Sequence, residues 1–236
     1  DSAIVRGLVA RILAEDPAIT VAAQASNGEQ AIAALSRTPV DVVVLDIEMP
    51  VMDGLTALPG ILKASPGVRV IMLSSLTQRG ATVTFQALRA GAADYIPKPS
   101  ASSEMSGTGG FKRDLIDKIK SLAARRLRSA AAAAQAQPAV ARPAAAMPAR
   151  PVPTSPAGPV EAVVIGSSTG GPQALFDIFA KLRGVRPRVP ILITQHMPPT
   201  FTGILAEHIG QAAGLAAAEG KDGEKIVPGR VYIAPG

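Results

Sequence analysis

The stretch Val163-Val164-Ile165-Gly166-Ser167-Ser168-Thr169-Gly170-Gly171 decides the fold of the second half of this 236-residue chain. Its apolar start is typical of a buried parallel strand, and its glycines indicate a tight turn into a helix. A second apolar run, Ile191-Leu192-Ile193, leads to Gln195-His196. Because parallel strands end at one edge of a sheet, we expect Ser168 and His196 to lie at the same edge.

The first half repeats this arrangement around Val42-Val43-Val44-Leu45, which runs directly into Asp46. Strands are predicted at 19–25, 40–45, 68–73 and near 94–96, and helical spacing separates them. Alternation of this kind indicates the α/β class: an open parallel sheet followed by a doubly wound parallel-sheet domain. Asp1 directly precedes a helix, and the chain ends at Gly236 just after a strand, so we expect both domains to be truncated.

A segment rich in alanine and proline separates the two halves. Residues 129–159 hold thirteen Ala and seven Pro, and prolines of this density exclude a regular helix. Such a composition offers little to bury and is typical of a semi-extended linker. The predicted domains are therefore 1–128 and 160–236, and the alanine run at 130–134 can prolong the preceding helix.

The composition excludes some classes of site. There is no Cys, which removes disulfides and thiolate metal sites, and no apolar run approaches the roughly 20 residues of a membrane span. The net charge of +6 is concentrated in residues 112–128, where seven Lys/Arg and two Asp/Glu give +5. Those charges form either a solvated helix face or a docking surface for an acidic partner, and the sequence leaves both open.

Polar residues follow successive strands of the first half. Asp46 and Asp1 should meet at one sheet edge, and two carboxylates with a backbone carbonyl make an oxygen site suited to Mg²⁺. The metal would neutralise charge during phosphoryl transfer to a carboxylate. Lys98 supplies a cation after the strand near 94–96, and Ser74 supplies a hydroxyl after the strand at 68–73.

Residues 1–128 resemble the receiver domain of two-component response regulators, a flavodoxin-like open parallel sheet. The resemblance rests on Leu45-Asp46-Ile47-Glu48-Met49-Pro50, Met52-Asp53-Gly54, Ser74-Ser75 and Lys98-Pro99. It implies that Asp46 is the phosphoacceptor and that Asp1, Asp46 and the Glu48 carbonyl bind Mg²⁺. It also implies that Ser74 and Lys98 contact the phosphoryl group, with Tyr95 as the switching aromatic.

The turn around Ser168 suits either a phosphate-binding loop or an oxyanion hole beside a nucleophile. The sequence lacks the glycine spacing of the dinucleotide-binding motif and the Gly-Lys-Ser/Thr of the P-loop. Gly166-Ser167-Ser168-Thr169-Gly170 has the spacing of a nucleophile elbow, but the upstream glycine-rich oxyanion loop is absent. His196 favours the nucleophile, because a neutral imidazole can take the serine proton. His208 falls on an apolar helix face, which favours packing.

The second half resembles the catalytic domain of chemotaxis protein-glutamate methylesterases. The resemblance rests on Ile165-Gly166-Ser167-Ser168-Thr169-Gly170-Gly171-Pro172 and Gln195-His196-Met197-Pro198. It implies Ser168 as nucleophile and His196 as base, with Thr169, Gly170 and Gly171 forming the substrate and oxyanion region. The triad aspartate of that family would lie outside this chain.

The resemblance implies a cytoplasmic, phosphorylation-regulated carboxylic-ester hydrolase. It would hydrolyse glutamate methyl esters, and deamidate glutamines, on the cytoplasmic domains of chemoreceptors during chemotaxis adaptation. Its phosphodonor would be a chemotaxis histidine kinase, Mg²⁺ would serve the receiver alone, and no nucleic acid or membrane insertion is expected. Two alternatives stay open: a response regulator whose output half binds DNA or another partner without catalysis, and an inactive fragment of the enzyme.

Overall fold

Two parallel sheets flanked by helices confirm the α/β class. The computed structural model describes residues 3–99, 109–135 and 159–236. The first half holds α1 (Ala3–Ala14), α2 (Gly28–Leu35), β1 (Val42–Asp46), α3 (Gly54–Ala64), β2 (Arg69–Ser74), α4 (Gln78–Arg89), β3 (Asp94–Pro97) and α5 (Gly109–Gln135). The second half holds β4 (Val163–Ser167), α6 (Gly171–Lys181), β5 (Ile191–Gln195), α7 (Pro199–Ala213), β6 (Ala216–Glu219) and β7 (Arg230–Ile233).

The first sheet has the order β1-β2-β3, with all pairs parallel. Asp46 pairs in register with Leu73, and Ser74 pairs with Pro97. The sites predicted at the ends of successive strands therefore share one edge of the sheet. Side-chain caps set the start of each following helix: Asp53 accepts the Thr56 N–H at 2.7 Å, and Thr77 accepts the Gly80 N–H at 3.0 Å.

The second sheet has the order β4-β5-β7-β6, again parallel throughout. Ser167 pairs with Gln195, which brings the ends of β4 and β5 together. Strand β6 begins shortly after α7 ends, although the alanine-rich sequence there gives no sign of a strand. Gly214 adopts a left-handed φ of 70° and ends α7, and the next residues pair with β7.

The predicted strand at 19–25 is wrong for this structure. These residues are not assigned to a strand, and the sheet within the described residues begins at β1. A cavity of about 470 Å³ separates them from β1, with Val21, Ala23, Val42 and Val44 among its lining residues. A strand requires a hydrogen-bonded neighbour, and none of the strands in the described residues pairs with this segment.

The basic helix α5 carries its apolar residues inward. Leu115, Ile119 and Leu122 are buried against the first sheet and α1. Its cations pair with acids of the same half: Lys120 with Asp16 at 2.7 Å, and also Lys112 with Glu15, Lys118 with Asp94 and Arg126 with Asp41. Ion pairs within the first half therefore engage several of the cations concentrated in this helix.

An aromatic cluster joins the two halves into one core. Phe85 of α4 is fully buried, and its ring lies 6.1 Å from Phe176, 6.0 Å from Phe201 and 5.2 Å from His208. Tyr95 of β3 stacks on Phe201 with 4.8 Å between ring centroids. Aromatic pairs at these separations add to the energy of apolar burial. No helix in the described ranges is both long and apolar enough to cross a bilayer.

His208 has the packing role that its position on α7 predicts. Its ring stacks on Phe85, and its buried Nδ1 atom has no hydrogen-bond partner among the described residues. Burial lowers the pKa of His208, and Arg89 lowers it further, against a smaller opposing effect of Glu207. The stacked position on Phe85 therefore favours the neutral form of the His208 imidazole.

We expect Phe85→Ala to lower the free energy of unfolding by about 3–5 kcal/mol, because it empties the centre of the aromatic cluster. Urea denaturation measures this change. Gln86→Ala, an exposed neighbour on α4, should stay within about 0.5 kcal/mol of the parent protein. Equal effects of the two substitutions would contradict the assigned packing.

Acidification should weaken the contact around His208. Because its pKa in the folded chain lies below its ordinary value, stability should be lost as pH falls below about 6.5. His208→Leu should reduce that loss in thermal unfolding between pH 7 and pH 5. His196→Gln, which changes the other histidine of the chain, should retain it.

Candidate functional site

The carboxylate of Asp46 lies at the end of β1 and is largely buried. Lys98 bridges two acids there, with its Nζ 2.9 Å from Asp46 Oδ1 and 2.8 Å from Glu48 Oε2. Burial acts to lower the pKa of Lys98, but the hydrogen bonds that its ammonium donates to Glu48 and Asp46 outweigh this effect, so the pKa is raised. The structure thus assembles Asp46, Glu48 and Lys98 into one charged site.

Ser74 and Tyr95 share the sheet edge with Asp46 but make other contacts. The fully buried Ser74 hydroxyl accepts from Thr84 Oγ1 at 2.6 Å and donates towards the Gly80 carbonyl at 3.3 Å. Tyr95 packs on Phe201 of the second half, and burial raises its pKa. Thr84, which the sequence analysis did not single out, lies ten residues beyond Ser74 on α4.

The described oxygen donors fit a hard cation only in part. Asp46 offers a carboxylate and Glu48 a backbone carbonyl, the ligand types that Mg²⁺ prefers. The other acid implied for the metal, Asp1, lies outside the described residues. Within those residues no cluster of three or more His, Cys, Asp or Glu is present.

Ser168 and His196 lie side by side in the topology of the second sheet. They directly follow the paired residues Ser167 and Gln195, and the His196 N–H donates to the Ser167 carbonyl at 3.0 Å. Both side chains are exposed, and in the described part of the chain no hydrogen bond joins them. Catalytic hydrogen bonds are often long or absent before substrate binds, so this placement is compatible with a nucleophile and its base.

Gln195 holds the two strand ends together, a role that the sequence analysis did not assign. It is 5% exposed; its Oε1 accepts from Ser167 Oγ at 2.6 Å, and its Nε2 donates to the carbonyls of Ser168 at 3.1 Å and His196 at 3.2 Å. A Cβ on Gly171 would stand 2.0 Å from Gln195 Oε1. The glycine therefore makes room for this amide, which fixes the backbone beside both candidate residues.

The glycine turn offers fewer free donors than its sequence predicts. Gly170 has a left-handed φ of 72° and caps α6, and the Gly171 N–H donates to the Ser168 carbonyl at 2.8 Å within the turn. The Gly170 N–H donates to Asp94 Oδ2 of the first half at 2.9 Å. Of the two glycine donors, only that of Gly170 points away from the turn.

Charged groups of β3 and α5 surround this turn. Lys118 Nζ lies 3.1 Å from Asp94 Oδ2, and both side chains are almost fully buried. Burial raises the pKa of Asp114, against the opposing effects of Lys118 and His196. Asp114 of α5 therefore lies within electrostatic range of His196.

Two families match the chain: response regulator receiver domain over residues 1–108 and CheB methylesterase over residues 163–236. The protein-glutamate methylesterase/protein-glutamine glutaminase of group 2 operon from Rhodospirillum centenum is 52% identical over 254 residues, covering 100% of this chain and 64% of that protein. Protein-glutamate methylesterase/protein-glutamine glutaminase 1 from Paramagnetospirillum magneticum is 51% identical over 248 residues, covering 100% of this chain and 65% of that protein.

The response regulator domain of Thermotoga maritima CheB, a crystal structure, shares 38% identity over 52% of this chain and 90% of its own, with a TM-score of 0.45. The chain spans roughly two thirds of the length of the curated relatives, 64% for the first of them. Its receiver match precedes its methylesterase match, in an alignment that takes in the whole chain. The chain belongs to the CheB family, in which a response regulator receiver domain is joined to a methylesterase domain.

Proposed function

We propose that this chain is part of a phosphorylation-regulated protein-glutamate methylesterase that also deamidates protein glutamines. The observation that carries the proposal is the register pair Ser167–Gln195, because it puts Ser168 and His196 at neighbouring strand ends. The names of the relatives supply the two reactions. The internal pairing of the cations of α5 gives no support to a DNA-binding output.

In this mechanism the Ser168 hydroxyl attacks the ester carbonyl carbon while His196 takes its proton. The tetrahedral intermediate collapses, and methoxide leaves as methanol with the proton returned by His196. Water then attacks the acyl-serine with the same base, which releases the glutamate carboxylate. Glutamine would follow the same course with ammonia as the leaving group. Backbone N–H groups of the turn at Thr169 and Gly170 stabilise the oxyanion, and this step requires no cofactor.

The receiver half controls this chemistry through phosphorylation of Asp46. Mg²⁺ would be held by Asp46, the Glu48 carbonyl and Asp1, and would neutralise the charge of the incoming phosphoryl group. A phosphoryl group adds about two negative charges beside Lys98. Ser74 and Lys98 would contact it, and Tyr95 would transmit the change because it packs on Phe201. We expect the resulting repacking to change the contact between the receiver and the turn that follows Ser168.

The proposed partners follow from this role. A chemotaxis histidine kinase would donate the phosphoryl group, and the substrates would be methylated cytoplasmic domains of chemoreceptors, which implies a cytoplasmic location. The proposed domain limits are 1–128 for the receiver, 129–159 for the linker and 160–236 for the start of the catalytic domain. Helix α5 continues to Gln135, so the first part of that linker is helical.

We expect Ser168→Ala to reduce ester hydrolysis by about 10⁴-fold or more, since removal of a serine nucleophile leaves only binding and oxyanion stabilisation. Methanol release from methylated receptor fragments measures the rate in the full chain. Ser167→Ala is the matched control and should retain most of the activity. A fluorophosphonate probe should label the parent protein and the Ser167 variant but not the Ser168 variant; labelling of all three would reject Ser168 as nucleophile.

Gln195→Glu should lower kcat by about 10²-fold with little change in KM, because it keeps the Ser167 contact and loses both donor bonds. Circular dichroism checks that the variant folds. Thr194→Ala, an exposed neighbour on β5, should leave kcat unchanged. A raised KM at normal kcat would show that Gln195 binds substrate and does not position the strand ends.

Asp46→Asn should abolish the stimulation of hydrolysis by acetyl phosphate and Mg²⁺, because it removes the phosphoacceptor. Glu29→Gln, which removes an exposed acid of α2, should be stimulated like the parent protein. The ratio of rates with and without the phosphoryl donor is the measurement. A parent protein with the same rate under both conditions would reject control by phosphorylation.

A further inference from the structure

Asp94 is a receiver residue whose carboxylate contacts the serine turn of the other half. It is 1% exposed. Its Oδ1 accepts the Tyr95 N–H at 2.8 Å, and its Oδ2 accepts both Lys118 Nζ at 3.1 Å and the Gly170 N–H at 2.9 Å. The last bond joins the first residue of β3 to the turn that follows Ser168.

The Asp94 carboxylate that accepts from Gly170 resembles the oxyanion that the turn would bind during the reaction. A carboxylate oxygen carries the negative charge that an oxyanion develops, and a charge-assisted hydrogen bond to it is stronger than a neutral one. While Asp94 accepts from Gly170, that N–H cannot donate to a reacting carbonyl. The Gly171 N–H is already used within the turn, so the turn loses the only glycine donor that points outward.

In this region the hydrogen-bond donor Gly170 is buried, and the candidate nucleophile Ser168 is not. Gly170 is buried, whereas the side chains of Ser168 and His196 are exposed. A Cβ on Gly170 would stand 2.6 Å from Nη1 of Arg125, so a guanidinium of α5 packs directly over this glycine. Within the described residues the receiver therefore closes the oxyanion donor and leaves the serine open.

Lys118 stabilises the buried carboxylate of Asp94 in this position. A buried carboxylate without a partner is strongly disfavoured, and Lys118 supplies both charge and a hydrogen bond. The ammonium of Lys118 also lies 5.8 Å from the ring centroid of Tyr95, the residue that stacks on Phe201. Lys118 thus contacts both the Asp94 carboxylate and the aromatic pair that joins the two halves.

We propose that Asp94 is an internal carboxylate ligand of the Gly170 N–H, positioned by Lys118, which inhibits the unphosphorylated chain by withholding an oxyanion donor. This inference rests on the proposed function and adds to it the group through which the receiver acts. Movement of β3 after phosphorylation withdraws the carboxylate and frees the donor. The freed Gly170 N–H then donates to the developing oxyanion of a methyl ester.

The test is chemical rescue of inhibition. Asp94→Ala should raise hydrolysis by the unphosphorylated full chain by about 10²-fold, the usual effect of one oxyanion donor. Formate, a carboxylate small enough to fill the space left by the side chain, should then restore inhibition. Phe85→Leu loosens the apolar part of the same interface and serves as the comparison, because formate should not inhibit it. Asp117→Ala, an exposed acid on α5, should behave as the parent protein.

Activation of Asp94→Ala that formate does not reverse, or equal inhibition of the Phe85 variant by formate, would overturn the proposal. Asp94→Asn keeps the side-chain shape, so it replaces the alanine variant if that one does not fold. Its rate should be raised to a smaller extent, because a neutral amide oxygen still accepts from Gly170; an unchanged rate would count against Asp94.

A second readout is independent of ester hydrolysis. The Gly170 amide proton should resonate downfield in the parent protein, move upfield in Asp94→Ala and return on titration with formate. If hydrolysis is absent while these shifts occur, the contact stands and the proposed function fails. An amide signal that does not respond to Asp94→Ala would reject the contact whatever the protein hydrolyses.

Discussion

Parallel pairing is the constraint on which both candidate sites depend. In a parallel sheet every strand ends at the same edge, so residues that follow different strands meet although they are far apart in the chain. The register between β4 and β5 brings Ser168 next to His196, and the register of the first sheet brings Asp46 near Lys98. A shift of one residue in either register would turn the side chains to the other face.

The contact between the two halves combines an apolar centre with a charged edge. Phe85 supplies the apolar burial, while Asp94 and Lys118 bring opposite charges to the glycine turn. Apolar burial supplies most of the stabilisation, and buried ion pairs contribute geometry more than net energy. A change of charge near Lys98 can therefore alter the edge while the aromatic centre persists, as a reversible switch requires.

Sequence patterns predicted the fold class, the order of most elements and the polar residues that follow the strands, because buried strands and polar turns are local signals. The pattern failed at 19–25, where the segment pairs with no strand among the described residues. It also gave no sign of β6, because alanines favour a helix until Gly214 ends it and β7 offers a partner. Pairing between distant segments decided both cases.

The sequence by itself determined which chemical groups this chain brings to its sheet edges: an aspartate with a lysine in one half, and a serine with a histidine in the other. Only the tertiary structure decided which partners those edges meet. Gln195 ties two strand ends through its amide, and Asp94 reaches a turn 76 residues away. Local periodicity specifies what faces the core, whereas contacts between elements follow from packing that no single segment encodes.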